Sequence, residues 1–276
     1  MPPRGLSIVT GSNTGIGKVT AVELARQGHH VVLACRSESK TLPVVEEIRA
    51  AGGQAEYLAL DLADLDRVAT AAKQLLAKNE PIGLLVNNAG VAGSRGTTAQ
   101  GYELTFGVNH LGTYLFTRLL VPRLRETEGA RVVTVASKAH YQAKGIDWEA
   151  VKKITKALTG LPEYEQSKLC NVLFAKELAK REPKVLSVSL HPGVVASDIW
   201  RQIPWPVRAI YKMFMITNEE GAKTSLHCAT ADGVVPGAYY DESAPKKPSA
   251  LAEDPALAEL LWNRSEEWTS PWLSPP

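Results

Sequence analysis

Tyr164 and Lys168 stand four residues apart in a stretch, Tyr164 to Arg181, with helical periodicity, so a phenol and an ammonium share one helix face. A neighbouring cation favours the tyrosinate and pulls the phenol below its ordinary pKa, the tuning a proton donor needs near neutral pH. Of the eight tyrosines only Tyr164 has this neighbour; Tyr114 has Arg118 and Tyr141 has Gly145 in the same place. A second constellation is Gly11, Ser12, Asn13, Thr14, Gly15, Ile16 and Gly17, which follows an apolar run and opens a helical one. Glycines there let the backbone turn tightly and approach a ligand closely, and the N–H groups and dipole of a helix N-terminus favour an anion such as a pyrophosphate. The Gly-x-x-x-Gly-x-Gly spacing differs from the G-x-G-x-x-G dinucleotide pattern, and there is no Gly-Lys-Ser/Thr ending for phosphoryl transfer. Some twenty residues on, the second apolar run ends at Cys35-Arg36. An acid there would bond a ribose 2′-hydroxyl, whereas a guanidinium fork pairs a 2′-phosphate, so Arg36 points to NADP over NAD.

These groups need elements to hold them at strand-to-helix junctions. Leu6–Thr10, Val31–Ala34, Ala55–Leu60, Ile82–Asn87, Arg131–Ala136 and Val185–Leu190 are short apolar runs that read as buried strands. Helical patterns separate them over Gly15–Gly28, Ser39–Ala51, Leu65–Lys78, Ala99–Arg125 and Tyr164–Arg181. Strict β-α alternation predicts an α/β fold: a doubly wound, Rossmann-type parallel sheet of about seven strands, flanked by helices in a single domain over residues 1–276. The cofactor-binding half is expected over about 1–135 and the catalytic and substrate-binding half over about 136–276. Such sheets bind ligands beyond the carboxyl ends of their strands. Ile146–Leu158 is also helix-like, and Pro255–Trp268, with Leu257, Leu260, Leu261 and Trp262, suggests a last amphipathic helix.

Composition excludes several classes. With 45% hydrophobic and 22% charged residues the chain is not disordered, and a net charge of +2 gives no footprint for nucleic acid. Cys35, Cys170 and Cys228 form no Cys-x-x-Cys or Cys/His pattern, so no metal site and no disulfide framework are expected, and a cytoplasmic setting fits. The longest runs without a charged residue are 14 residues, Pro81–Ser94 and Leu104–Thr117, short of a membrane span. Only Met-Pro-Pro-Arg-Gly precedes the first strand, so no leader or transmembrane anchor is expected.

Taken together the chain resembles the short-chain dehydrogenase/reductase family over nearly its whole length. Thr10–Gly17 is similar to that family's cofactor loop, Asp61-Leu62 to its adenine-contacting pair, Asn87-Asn88-Ala89-Gly90 to its central-strand motif and His191-Pro192-Gly193 to its post-strand turn. Tyr164-x-x-x-Lys168 supplies its Tyr-x-x-x-Lys, Ser137 follows the fifth strand where its catalytic serine lies, and Asn109 matches its helix asparagine. The resemblance implies hydride transfer between nicotinamide C4 and a carbonyl carbon, with Tyr164 exchanging the oxygen's proton. It assigns Ser137 to the carbonyl oxygen, Lys168 to the nicotinamide ribose, Asn109 to a water-linked proton path, and the Val195 backbone and Ser197 hydroxyl to the carboxamide. Asn88, Ala89, Gly90, Pro192 and Gly193 complete the implied cofactor set.

Phrases such as Leu33-Ala34-Cys35-Arg36, Val108-Asn109-His110-Leu111-Gly112 and Ser167-Lys168-Leu169-Cys170-Asn171 narrow the resemblance to retinol-dehydrogenase-like carbonyl reductases. The implied partner is a lipophilic aldehyde, ketone or alcohol. Residues 196–217 read as an apolar lid in which Trp200, Trp205 and Met213 wall the substrate beside Ser137 and Tyr164; helix packing is the competing reading. The 26 residues Lys138–Glu163 are read as covering a helix face, which leaves monomer and homodimer open. A cofactor-binding sensor or scaffold without turnover is the rival from another class, and an intact Ser137, Tyr164 and Lys168 argues against it. A sugar-nucleotide epimerase would need a larger C-terminal domain than the roughly 80 residues that follow the sixth strand.

Overall fold

The computed structural model describes residues 5–193 and 216–273. Six apolar runs become parallel strands: β1 (Leu6–Thr10), β2 (His30–Cys35), β3 (Gln54–Ala59), β4 (Ile82–Asn87), β5 (Arg131–Val135) and β6 (Leu186–His191). Two short strands follow, β7 (Tyr239–Asp241), parallel to β6, and β8 (Ala244–Lys246), antiparallel at the edge. The sheet order is β3-β2-β1-β4-β5-β6-β7-β8, eight strands where about seven were expected. The extra strand is a hairpin arm of three residues. Its two-residue turn places Glu242 and Ser243 at φ 53° and 61°, and Pro245 is tolerated because the strand lies at the edge.

Strands β1 and β4 are buried throughout because helices cover both faces of the sheet. On one face α3 (Leu65–Ala77), α5 (Thr113–Arg125), α6 (Leu161–Arg181) and α8 (Pro255–Leu273) contribute Val68, Leu115, Leu173 and Leu261 to one core. On the other, α1 (Gly15–Arg26), α2 (Glu38–Ala50) and α7 (Asn218–Thr230) contribute Leu24, Val45 and Ala229 to a second. In α8 the predicted face is real at Leu261 and Trp262, whereas Leu260 is exposed. The strand order reverses direction between β1 and β4, which opens a crevice at their carboxyl ends.

Two expected helices differ. Ala99–Arg125 is not one helix: a single α-turn, α4 (Leu104–Phe106), leads into a π-helical turn, Gly107–Gly112, and only then into α5. Gly112 is required there, since a Cβ would lie 2.3 Å from the Leu62 carbonyl oxygen. Ile146–Leu158 holds only the 3₁₀ turn Ala150–Lys152. Val151 is buried in the core and Ile146 and Trp148 pack against it, whereas Ile154 and Leu158, 65% and 86% exposed, point away from it, so no continuous helical face is buried. The stretch is held instead by Asp147, which accepts from the Glu149 and Ala150 amides, and by Thr155, whose hydroxyl donates to buried Glu103. Among the described residues no helix is long and apolar enough to cross a membrane, and no cluster of His, Cys, Asp and Glu is placed to hold a metal.

Candidate active site

The carboxyl ends of β1, β4, β5 and β6 bring the sequence-predicted groups to one crevice. Gly11 and Gly15 take φ +65° and +59°, conformations that favour glycine, and α1 starts directly from them with no acidic residue in its first turn. The loop is stitched to its neighbours. Thr10 Oγ1 accepts from the Asn88 and Ala89 amides at 3.0 and 2.9 Å, and Asn88 Nδ2 donates to the Thr10 and Gly11 carbonyls at 2.9 and 3.2 Å. Gly11 N donates to Ala34 O and Ser12 N to Cys35 Sγ, which docks the end of β2 against the loop. Arg36 stands exposed at the bend that follows and forms no ion pair with another described residue. Asp61 is half-buried after β3, and its carboxylate accepts from the Ala63 amide; Leu62 is buried against the π-turn.

The π-turn turns Asn109, wholly buried, toward the end of β4. Its Oδ1 accepts from Val91 N at 2.7 Å, and its Nδ2 donates to Val91 O and to Ser167 Oγ, both at 2.9 Å. In its favoured amide orientation Asn171 donates to the Asn109 main-chain carbonyl at 2.8 Å. Asn109 therefore clamps the β4 exit to α6. A Cβ on Gly90 would lie 3.2 Å from Asn109 Oδ1 and 3.5 Å from Lys168 Nζ, so Gly90 also closes on this cluster.

On α6, Tyr164 and Lys168 are both buried and one helical turn apart. The Tyr164 phenol faces the Ser137 side chain, whose hydroxyl favours its ionised form, which brings α6 to the turn after β5. Lys168 Nζ donates to the Val135 carbonyl at 2.8 Å and lies 5.6 Å from the centre of the Tyr164 ring. The expectation that Lys168 depresses the phenol is corrected. Burial raises Tyr164 to about 12 against the opposing effect of the Ser137 side chain, and burial pushes Lys168 down to about 8. In this arrangement desolvation outweighs the i, i+4 proximity that the sequence spacing guaranteed.

The part of the chain carrying these groups matches a family model. Residues 6–205 fit the short chain dehydrogenase model. The chain belongs to the short-chain dehydrogenase family. This short-chain dehydrogenase is 40% identical to retinol dehydrogenase 12 of Mus musculus over 96% of its own length and 86% of that protein's. It is 38% identical to retinol dehydrogenase 11 of Homo sapiens, with 95% and 85% covered, and so lies in the retinol-dehydrogenase-like branch. Among solved structures an uncharacterized protein from Mycobacterium paratuberculosis superposes with a TM-score of 0.80 at 30% identity, over 98% of this chain and 96% of that one. The family's chemistry is oxidoreduction with a nicotinamide cofactor. The residues present fit such a group: a glycine turn built for close approach, an α1 N-terminus clear of acidic side chains, and an open guanidinium one strand away.

A cleft of about 510 Å³ opens beyond β6 and β7 of this short-chain dehydrogenase, lined by Lys138, His191, Pro192, Gly193, Thr224 and Asp241 among others. Pro192 and Gly193 are thus on its wall, and Gly193 has φ +90°. Val195, Ser197, Trp200, Trp205, Met213 and nearly all of the 196–217 lid lie outside the described residues. Four roles were not assigned from sequence: Thr10, quoted only as the start of the loop, as the acceptor for two amides, Ser167 and Asn171, quoted only as part of a motif, as partners of Asn109, and the Val135 carbonyl under Lys168. Ser167 and Asn171 had one usable signal, their positions one before and three after Lys168 on the catalytic helix.

Proposed function

We propose that this protein is an NADP(H)-dependent carbonyl reductase acting on a lipophilic aldehyde or ketone, with Tyr164 as the proton donor. The observation that carries the reading is the Ser137–Tyr164–Lys168 group at the carboxyl end of β5, with Tyr164 and Lys168 buried, Ser137 half-buried and Gly90 of the β4 exit closing on Lys168. A bound nicotinamide supplies or accepts the hydride. Ser137 donates a hydrogen bond to the substrate oxygen, Tyr164 delivers its phenolic proton there, and the Lys168 ammonium holds the ribose. A phenol held at about 12 remains protonated at neutral pH, which suits reduction over alcohol oxidation. Arg36 supports the NADP preference through its exposed guanidinium, which has no ion pair among the described residues. The retinal-like class of substrate rests on the branch and on the apolar residues Trp200, Trp205 and Met213. Three free, buried cysteines support a cytoplasmic setting.

The test is fluorescence titration with NADPH and NADH, followed by loss of reduced-nicotinamide absorbance over a panel of aldehydes, ketones and retinal. Tight NADPH binding and turnover of a lipophilic carbonyl are expected. Tight binding without turnover on the whole panel favours the sensor reading, and no binding of either cofactor overturns the proposal.

A pH dependence follows from the two burial effects. Lys168 is charged below about 8 and loses its proton above it, whereas Tyr164 keeps its own to about 12. The basic limb of kcat/KM for NADPH, which reports the free protein, is therefore expected near pH 8 and belongs to the ammonium, with a fall of about tenfold per unit beyond it. A profile flat to pH 10 would show that the charge on Lys168 is not needed.

A further inference from the structure

We infer that His140 is a positioning residue that ties the backbone of Ser137 to the C-terminal segment at Ser249 and thereby sets the rate of proton delivery at Tyr164. The inference rests on the roles given above to Ser137 and Tyr164. His140 lies three residues after Ser137 in the 3₁₀ turn Lys138–Tyr141, and its side chain is wholly buried. Its two ring nitrogens have different partners. Nδ1 lies 2.6 Å from the Ser137 carbonyl oxygen and Nε2 lies 3.1 Å from the Ser249 amide nitrogen.

A carbonyl only accepts and a backbone amide only donates. Nδ1 must therefore carry the proton and Nε2 the lone pair, so one neutral tautomer satisfies both bonds. Burial lowers the ring's pKa, which keeps it in that neutral form. The ring is packed between Tyr141 and Tyr239, with centroids 4.1 and 4.7 Å away, so its plane is fixed as well as its ends. The Ser137 carbonyl already closes the turn by accepting from His140 N at 3.1 Å. What the ring adds is reach, from a turn of the fifth crossover to a backbone amide 109 residues later in the chain.

Neighbouring residues of the turn reach the same way. Lys138 N donates to His191 Nδ1 at 3.3 Å, Lys138 Nζ pairs with the buried Asp241 carboxylate at 3.1 Å, and the Tyr141 hydroxyl donates to the Lys247 carbonyl. The Ser137 side chain accepts from Ala139 N at 3.1 Å and faces the Tyr164 phenol, so any tilt of this turn moves the serine relative to the proton donor. The β7–β8 hairpin and the residues after it thus form the outer wall to which the catalytic turn is moored.

A double-mutant cycle tests the bridge. H140N places an amide where Nδ1 stood, keeping a donor for Ser137 and giving up Ser249. S249P removes the amide proton at a residue whose φ of −62° already suits proline, without touching the site. Each single variant is expected to lower kcat about tenfold, with KM for the carbonyl and Kd for NADPH within about threefold, because a small displacement of a positioned group is felt in the chemical step. Because both variants break the same bond, S249P is expected to cost nothing further in the H140N background. Independent, multiplying effects, or an S249P protein with full kcat, would overturn the inference. The ¹³Cζ resonance of Tyr164 gives a readout without turnover. It should move in S249P and in H140N, and by the same amount in the double variant; an unmoved resonance overturns the inference even if no carbonyl proves to be a substrate.

Discussion

Tyr164→Phe is expected to lower kcat for carbonyl reduction by on the order of a thousandfold, the scale of losing a general acid, while NADPH still binds. The change deletes one oxygen from a buried ring and fills no new space, so the packing of α6 on the sheet is retained. Ser137 keeps the Ala139 amide as a partner when the phenol oxygen is removed, and Lys168 keeps the Val135 carbonyl. The loss should therefore appear in kcat, with Kd for NADPH and the melting temperature close to those of the parent. Rapid single-turnover absorbance at the reduced-nicotinamide band makes the comparison free of product release. A Tyr164→Phe protein that reduces carbonyls at the parental rate would remove Tyr164 from the acid role and leave the phenol's burial without a catalytic purpose.

Arg36→Asp is the second large effect. It replaces an exposed cation at the end of β2 by an anion, at the position where the chain meets the glycine loop through Gly11 N–Ala34 O and Ser12 N–Cys35 Sγ. Losing a charge-assisted contact to a 2′-phosphate and opposing it with a carboxylate is worth about 3 kcal/mol, or about a hundredfold in NADPH affinity. NADH has no such phosphate, and the new carboxylate can bond its ribose 2′-hydroxyl, so its affinity is expected to hold or rise. Because Arg36 has no ion pair with the described residues, the substitution should leave the fold alone, and the ratio of the two dissociation constants reads the cofactor choice directly. An unchanged ratio would place the discrimination elsewhere in the loop.

Most of the frame was legible from local pattern. Apolar runs of five or six residues alternating with amphipathic stretches placed β1 to β6 within a residue or two, because strands buried on both faces must be continuously apolar. The glycine loop was legible because positive φ has a residue-type signature, and Tyr164 with Lys168 because helical spacing fixes a shared face. The hairpin of β7 and β8 was not, since Glu242 and Ser243 occupy turn positions that usually announce themselves as Asn or Gly. The stretch around Ile154 and Leu158 misled in the opposite sense: its apolar spacing is helical, but the core takes up Val151, Ile146 and Trp148 and leaves Ile154 and Leu158 exposed.

By itself, then, the amino-acid sequence determined the class of fold, the crevice at which chemistry would occur, and the residue types that meet there. The tertiary structure alone decided what each of those residues experiences. Spacing put an ammonium beside a phenol, but burial, a property of the whole packed core, lowered Lys168 and raised Tyr164 instead of pairing their charges. Asn109 became a clamp because a π-turn aimed it at Val91 and Ser167. His140 acquired its two partners because β7, β8 and the residues after them fold back over the turn that follows Ser137. Local periodicity governs which face a side chain occupies; desolvation and long-range hydrogen bonds depend on neighbours a hundred residues away, and only the folded chain supplies them.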